Sequence, residues 1–286
     1  MMNIYTKYNF ILLINLILNL NKFNKININF NYNNLNKNNI NTIINFIDFI
    51  NINNKYNYII NFNLINIIKY SIKKNIINCY NKKKFFKIIN FAYINNIDFN
   101  KLKIHNNTYY SITNYLDANY ISNIIYKFHN TKNIVITDAT ANVGGNTISF
   151  GLFNYKLVNS IEINTKCYEY LVNNIDCYNL KNIKAYNDNY LNIYKKIYQD
   201  VLFIDPPWGG PNYKHTNNLD LYINKKNIID IISEIYNDTI TTSIILKVPF
   251  NYNMTTLHIF LKKNKNIKFV TYTLQKFLII YLYRKI

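Results

Sequence analysis

Three of the four prolines in this 286-residue chain fall within six residues, at 206, 207 and 211, directly behind an apolar run. The run, Val201-Leu202-Phe203-Ile204, is β-prone and of strand length, and Pro206-Pro207 stops it at once. Asp205 is therefore placed at the carboxyl end of a buried strand, where open α/β sheets hold their ligands. After it come a rigid turn, the only tryptophan, Trp208, and the bare backbone of Gly209-Gly210. An acid, a flat ring and two residues without side chains suit the gripping of a planar heterocycle.

The glycines lie at 144, 145, 151, 209 and 210 and nowhere else. In so glycine-poor a chain, the pair at 144 and 145 marks a strand-to-helix turn that needs it. Ile134 to Thr137 reads as a strand ending at Asp138, and Asn146-Thr147 opens a helix reaching about Phe153. Gly144 lets backbone approach a ligand at φ > 0, and Asn142 tolerates the same conformation. The helix starting near Asn146 offers free N–H groups.

A second strand, Leu157 to Ile163, carries Glu162 near its end, 24 residues after Asp138, about where nucleoside-binding folds place the acid for ribose hydroxyls. A helix from about Lys166 to Cys177 leads to strand Ile183 to Tyr186 and then Asp188, which can receive an adenine amino group. Three acids at three consecutive strand ends, with a glycine loop, point to an adenine-nucleoside site. The loop lacks the P-loop Lys-Ser/Thr and the third glycine of the dinucleotide fingerprint. A nucleoside without pyrophosphate fits, S-adenosylmethionine foremost.

Beyond the proline-rich stretch the pattern predicts a helix at about 227–236, a strand at 243–248, a helix at about 255–263 and two closing strands, about 269–274 and 277–283. Only Gln275-Lys276 separates those two, so they form an antiparallel hairpin on an otherwise parallel sheet. A helix from about Asn114 to Phe128 precedes the first strand. Residues 1–105 contain neither glycine nor proline and put Ile and Phe at helical spacing, so a mostly helical accessory region is expected there, ahead of a catalytic domain over 106–286.

A net charge of +19 makes nucleic acid the favoured partner, although an Asn-Ile-Lys-Tyr bias of AT-rich coding contributes. The cysteines Cys79, Cys167 and Cys177 show no paired or metal-binding spacing, which implies a reducing, intracellular compartment. Four scattered histidines form no ligand cluster, so no metal is expected. The apolar run Phe10 to Leu20 is too short to span a bilayer and no membrane role is expected; nor is oligomerisation, and a monomer is the default.

Asp138-Ala-Thr-Ala-Asn142-Val-Gly-Gly-Asn146 resembles motif I of class I S-adenosylmethionine-dependent methyltransferases. Together with Pro206-Pro-Trp208-Gly-Gly-Pro211, it looks like the RNA cap guanine-N2 methyltransferases, the trimethylguanosine synthase family. Tyr110-Ser111-Ile-Thr113 is similar to that family's aromatic-Ser-Val-Thr entry segment, which contacts the cofactor. The resemblance covers about residues 108 to 286. It implies a Rossmann-like, mostly parallel seven-stranded α/β sheet, S-adenosylmethionine as cofactor, and 7-methylguanosine-capped RNA as substrate. Motif I alone is unspecific; the Pro-Pro-Trp-Gly-Gly-Pro-x-Tyr run is much more so. Two departures stand out: Asn142 replaces a usual glycine, and Asp205 replaces the serine of well-known members.

The resemblance gives Asp205 and the Pro206 carbonyl as acceptors for an N–H of the target amine, Trp208 as the stacking ring, and Asn212 and Tyr213 as rim contacts. The cofactor falls to Ser111, Thr113, Asp138, Asn142, Gly144, Asn146, Glu162, Asp188 and Asp205. Asp-Pro-Pro-Trp is also the motif of N6-adenine methyltransferases, so adenine is the alternative target. Lys247, at a strand end, suits a ribose 2′-O-methyltransferase, but no second lysine and glutamate accompany it. A non-catalytic RNA-binding subunit with this fold is the reading outside enzymes.

Overall fold

Strand-length apolar runs that are buried on both faces belong inside a parallel sheet covered by helices. The computed structural model builds such a sheet. It describes residues 87–284 except 88, 89, 93, 95, 96, 106, 107, 109, 110 and 275. Most of the expected helical accessory region, Cys79 and Tyr110 therefore lie outside the described residues.

The elements run α1 (Tyr115–His129), β1 (Val135–Asp138), α2 (Gly145–Leu152), β2 (Leu157–Ile161), α3 (Thr165–Cys177), β3 (Ile183–Tyr186), α4 (Tyr190–Ile193) and β4 (Val201–Ile204). A 3-10 turn (Pro211–His215) follows, then β5 (Tyr222–Ile223), β6 (Lys226–Asn227), α5 (Ile228–Asp238), β7 (Ser243–Val248), α6 (Met254–Lys263), β8 (Ile267–Thr273) and β9 (Leu278–Arg284). Seven strands form one sheet in the order β3-β2-β1-β4-β7-β9-β8, and β5 and β6 pair separately. Strands β3 to β7 of that sheet are parallel, while β9 runs antiparallel to β7 and to β8. The closing hairpin is as expected. The order of strands reverses at β1, which lies between β2 and β4, and that opens a crevice at their carboxyl ends.

Strand β4 shows how the core is divided. Leu202 and Ile204 join a cluster with Ile228, Ile232, Ile244 and Leu246, whereas Val201 and Phe203 join Ile121, Ile125, Ile136 and Ile245. Alternate residues thus feed opposite faces, as the two-residue strand period demands. At its amino end, Asp200 locks three strands in register. Its Oδ2 accepts from the Val135 N–H at 2.7 Å, and its carbonyl accepts from the Thr242 N–H at 2.9 Å and from Thr242 Oγ1 at 2.9 Å.

The asparagine bias is put to structural use. Asn114, Asn164, Asn189, Asn227 and Asn253 each cap a helix start with the side-chain oxygen, the favoured role of this residue. Asn130, Asn142, Asn154, Asn179 and Asn224 take the left-handed conformation for which most chains use glycine. Short asparagine thus substitutes for the missing glycines.

The segment before α1 docks on α3. Phe91, Ala92, Phe99 and Leu102 are buried, Tyr178 donates its hydroxyl to the Ala92 carbonyl, and Asn174 exchanges hydrogen bonds with the Lys103 backbone in both directions. Among the described residues no helix is long and apolar enough to cross a membrane.

Candidate active site

The ends of β1, β4 and β7 bring Asp138, Asp205 and Lys247 to one side of the sheet. Asp138 is fully buried and its Oδ2 accepts from Thr147 Oγ1 at 2.7 Å, which in turn accepts from Ser160 Oγ at 3.0 Å. Burial, aided by the charges of Asp205 and Glu162, pushes its pKa up to about 7, against the pull of its hydrogen bonds to Thr147 and Thr140.

The glycine loop has the geometry its sequence implied. Asn142 has φ 50° and Gly144 φ 103°, both left-handed. A Cβ at Gly145 would lie 2.9 Å from the Thr113 carbonyl oxygen and 2.9 Å from Ile112 Cγ2, so the start of α2 needs glycine to lie against the entry segment. Glu162 holds the loop: its Oε2 accepts from the Asn142 N–H at 2.8 Å and its Oε1 from the Asn164 N–H at 2.7 Å. Burial raises its pKa above the ordinary carboxylate value, and those two bonds oppose the rise. Ile163 beside it is 63% exposed, an apolar side chain that neither core claims.

Thr113 is a hub. Its Oγ1 accepts from Asn146 Nδ2 at 2.9 Å and from Lys247 Nζ at 2.9 Å. Lys247 also meets Asp205 Oδ2 at 2.6 Å, in an ion pair that is nearly closed to solvent. The Asp205 N–H donates to Thr140 Oγ1 at 2.9 Å, tying the strand end to the glycine loop. Burial pushes the Asp205 carboxyl up, and Lys247 pulls it back.

Pro206 is buried and Pro207 exposed. Trp208 is half-buried, packs against both core clusters, and meets Tyr213 edge-on with centroids 5.2 Å apart. Gly209 and Gly210, at φ 89° and 74°, have nothing within 4 Å of where a Cβ would stand. Asn212 is exposed, while Asn251 anchors the turn through the carbonyls of Tyr213 and Thr216.

The structure thus gathers Thr113, Asn146, Asp205 and, through one oxygen atom, Lys247. Asp138 and Glu162 sit on either flank of the loop. Asp188 follows Asn187, whose Nδ2 donates to the Glu162 carbonyl at 2.9 Å, and its Oδ1 accepts from the Asn189 N–H and Asn192 Nδ2, while Ser111 is exposed. Two residues carry more in the structure than the sequence reading assigned to them. Lys247 was legible only as a strand-end lysine, although a charge inside the otherwise uncharged run Ser243–Val248 signals a buried partner. Ile163 carried no signal beyond following Glu162.

A family model described as RNA cap guanine-N2 methyltransferase matches residues 133–284, just over half of the chain. The chain belongs to that family. Its sheet order, with the antiparallel closing hairpin, is the Rossmann-like class I fold. Protein L320 of Acanthamoeba polyphaga mimivirus, itself uncharacterized, is 40% identical over 125 residues, 43% of this chain and 48% of that relative. The matched region spans about half of the relative. Among solved structures, an rRNA methylase from Streptococcus thermophilus is similar at 10% identity, covering 59% of this chain and 94% of that one with a TM-score of 0.40. TYW2 of M. jannaschii, in complex with AdoMet, is similar at 18% identity, covering 58% and 76%, with a TM-score of 0.37.

Proposed function

We propose that this methyltransferase acts on the exocyclic N2 of guanine in a 7-methylguanosine RNA cap. The observation that carries the proposal is the turn after β4. There Asp205 and Trp208 stand three residues apart on a diproline frame, with the Asp205 backbone bonded to the glycine loop. The family description supports the choice of base.

The chain's residues fit the cofactor. Asn142 Oδ1 and Asn146 Oδ1 are buried polar atoms with no hydrogen-bond partner, both on the glycine loop. An atom in that state calls for a donor. Gly144 and Gly145 keep side chains out of the cradle, Glu162 suits ribose hydroxyls, and exposed Ile163 offers a flat apolar contact to adenine, with Asp188 for its amino group. Asp138, through Thr147, and the segment Ser111 to Thr113 complete the wall. When bound, S-adenosylmethionine supplies an electrophilic methyl group on a sulfonium sulfur.

Guanine N2 is a poor nucleophile because its lone pair is delocalised into the ring. Asp205 and the Pro206 carbonyl accept its N–H groups and direct the lone pair out of the plane. Bound S-adenosylmethionine would supply the methyl group to N2, while Asp205 takes up the N2 proton that is released and passes it to solvent. Holding the base in that orientation contributes up to about 7–11 kcal/mol in well-aligned systems. Trp208 stacks on the base with Tyr213 at its edge, and the positive charge of 7-methylguanine adds about 0.5–2 kcal/mol of cation–π attraction. The basic chain holds the RNA phosphates behind the cap.

The test is incubation with labelled S-adenosylmethionine and RNA bearing a 7-methylguanosine cap, an unmethylated cap or no cap, followed by nucleoside analysis. N2-methylated 7-methylguanosine is expected. Label on adenine N6 would reject the guanine reading.

A further inference from the structure

An ammonium does not belong inside a parallel sheet, yet Lys247 is the fifth residue of a six-residue strand in which every member is buried. Charge in that position is strongly unfavourable unless it is paired and hydrogen-bonded. Lys247 Nζ is provided for on several sides. It donates to Asp205 Oδ2 at 2.6 Å and to Thr113 Oγ1 at 2.9 Å, and it lies 4.9 Å from the Phe277 ring centroid and 5.5 Å from that of Trp208. Every one of these groups borders the proposed base site or the hairpin behind it.

We propose that Lys247 is a positioning residue of the transfer reaction, clamping one oxygen of Asp205 so that the other meets the target amine as an ionised acceptor. The proposal rests on the reading of Asp205 as that acceptor. Oδ2 is taken by the ammonium, whereas Oδ1 accepts from no described residue, and the side chain keeps 15% of its surface open. A carboxylate free to turn about its χ angles would present either oxygen, or neither. One held at 2.6 Å by a buried cation presents the remaining oxygen in a fixed direction.

Ionisation matters as much as direction. A protonated carboxyl would point its own hydrogen at an amine that also donates. Burial drives Asp205 toward that neutral form, and Lys247 opposes it. The other charges around the pair are Asp138 at the end of β1, Glu162 acting on Asp138, and Asp117 of α1, on which Lys247 and Lys276 both act. Through Thr113 the same Nζ is tied to Asn146 at the start of α2, so acceptor and cofactor loop share one fixed point.

The test compares wild type, Lys247→Met, Asp205→Ser and the double variant in the full chain, scoring methyl transfer, pH profile and thermal midpoint. At saturating cofactor, Lys247→Met should lose about 100-fold in kcat, the scale of a lost proton-acceptor function, with less change in KM for the RNA. Activity needs the ionised carboxylate and falls as pH drops through its titration. Removing the cation should therefore move the acid limb up by about one pH unit or more. Asp138→Asn as background shows that the limb is not that of Asp138. Asp205→Ser alone strands a buried ammonium and should lower the midpoint. The double variant has no charge to strand, and it should melt above Asp205→Ser and turn over faster than Lys247→Met. An unmoved acid limb, or purely additive losses in the double variant, would overturn the proposal. The thermal coupling needs no substrate, so it fails or holds apart from the cap assignment, which shows only in the methylated nucleoside.

Discussion

Replacing Gly145 by alanine tests whether the cofactor loop and the entry segment are one rigid piece. The new Cβ would stand 2.9 Å from the Thr113 carbonyl oxygen, a backbone atom that cannot rotate away, and equally close to Ile112 Cγ2. Ordinary contact requires roughly 0.5 Å of retreat, given carbon contact distances of about 3.5 Å. That retreat draws Thr113 Oγ1 away from both its donors, Asn146 and Lys247, each now at 2.9 Å. Overpacking of this kind costs about 1–3 kcal/mol. Weakening a bond to a buried ammonium and a bond to an amide adds about 1–3 kcal/mol more. A total of roughly 2–6 kcal/mol divides between thermal stability and cofactor affinity. The assays are a thermal melt without ligand and calorimetric titration of S-adenosylmethionine. The midpoint should drop by several degrees, at about 2–4 °C per kcal/mol for a domain of this size, and affinity should fall at least tenfold. Gly209→Ala is the contrast: nothing lies within 4 Å of its Cβ and the strain of its φ of 89° is local to the Trp208 turn, so it should spare cofactor affinity. Equal cofactor affinity in wild type and Gly145→Ala would refute the coupling.

Glu162→Ala should weaken cofactor binding by about 1.5–3 kcal/mol, the worth of a hydrogen bond to a charged group, with the fold intact by circular dichroism; unchanged affinity removes Glu162 from the site. Trp208→Ala should abolish most transfer and Trp208→Phe only part of it. The preference of wild type for 7-methylguanosine over guanosine caps should be roughly tenfold, and it should narrow in Trp208→Ala. Asp138 titrates at about pH 7 in the fold against an ordinary 3.8, which at about 1.4 kcal/mol per tenfold makes its ionised form cost roughly 4 kcal/mol. That stability is present below about pH 4 and lost as pH rises to about 7. In the absence of cofactor, Asp138→Asn should thus melt above wild type at pH 8 and with it at pH 4; a constant difference would show that Asp138 carries no such penalty.

The strands were legible because their burial is nearly complete: Val201–Ile204 and Ser243–Val248 appear in the fold with the bounds their apolar runs imply. Helix starts were readable within a residue or so, since asparagine caps them. What stayed hidden had no period to show it. Strands β5 and β6 are two residues each and turn through Asn224-Lys225, both left-handed, without the Asn-Gly that announces such a hairpin. Helix α4 is a single turn. In the site, Asp205 and Trp208 could be placed from their neighbours in the chain. The Lys247 contact spans 42 residues and depends on β4 and β7 being adjacent, which no local pattern states.

The Asp200 lock at the far end of the sheet bears on how the site comes apart. Val135, Asp200 and Thr242 are bound to one another at the amino ends of β1, β4 and β7, and each strand then runs four to six residues to its chemical group. A slip of one residue in any of the three would turn Asp138, Asp205 or Lys247 to the opposite face. The site groups are thus placed by the register of three strands whose residues are all buried, and amides of that kind exchange with solvent only through the largest openings. In hydrogen exchange, β1, β4 and β7 should therefore become protected as one unit. The Trp208 turn and the 3-10 segment behind it should exchange orders of magnitude faster, leaving the base free to enter while the acids beneath it stay fixed.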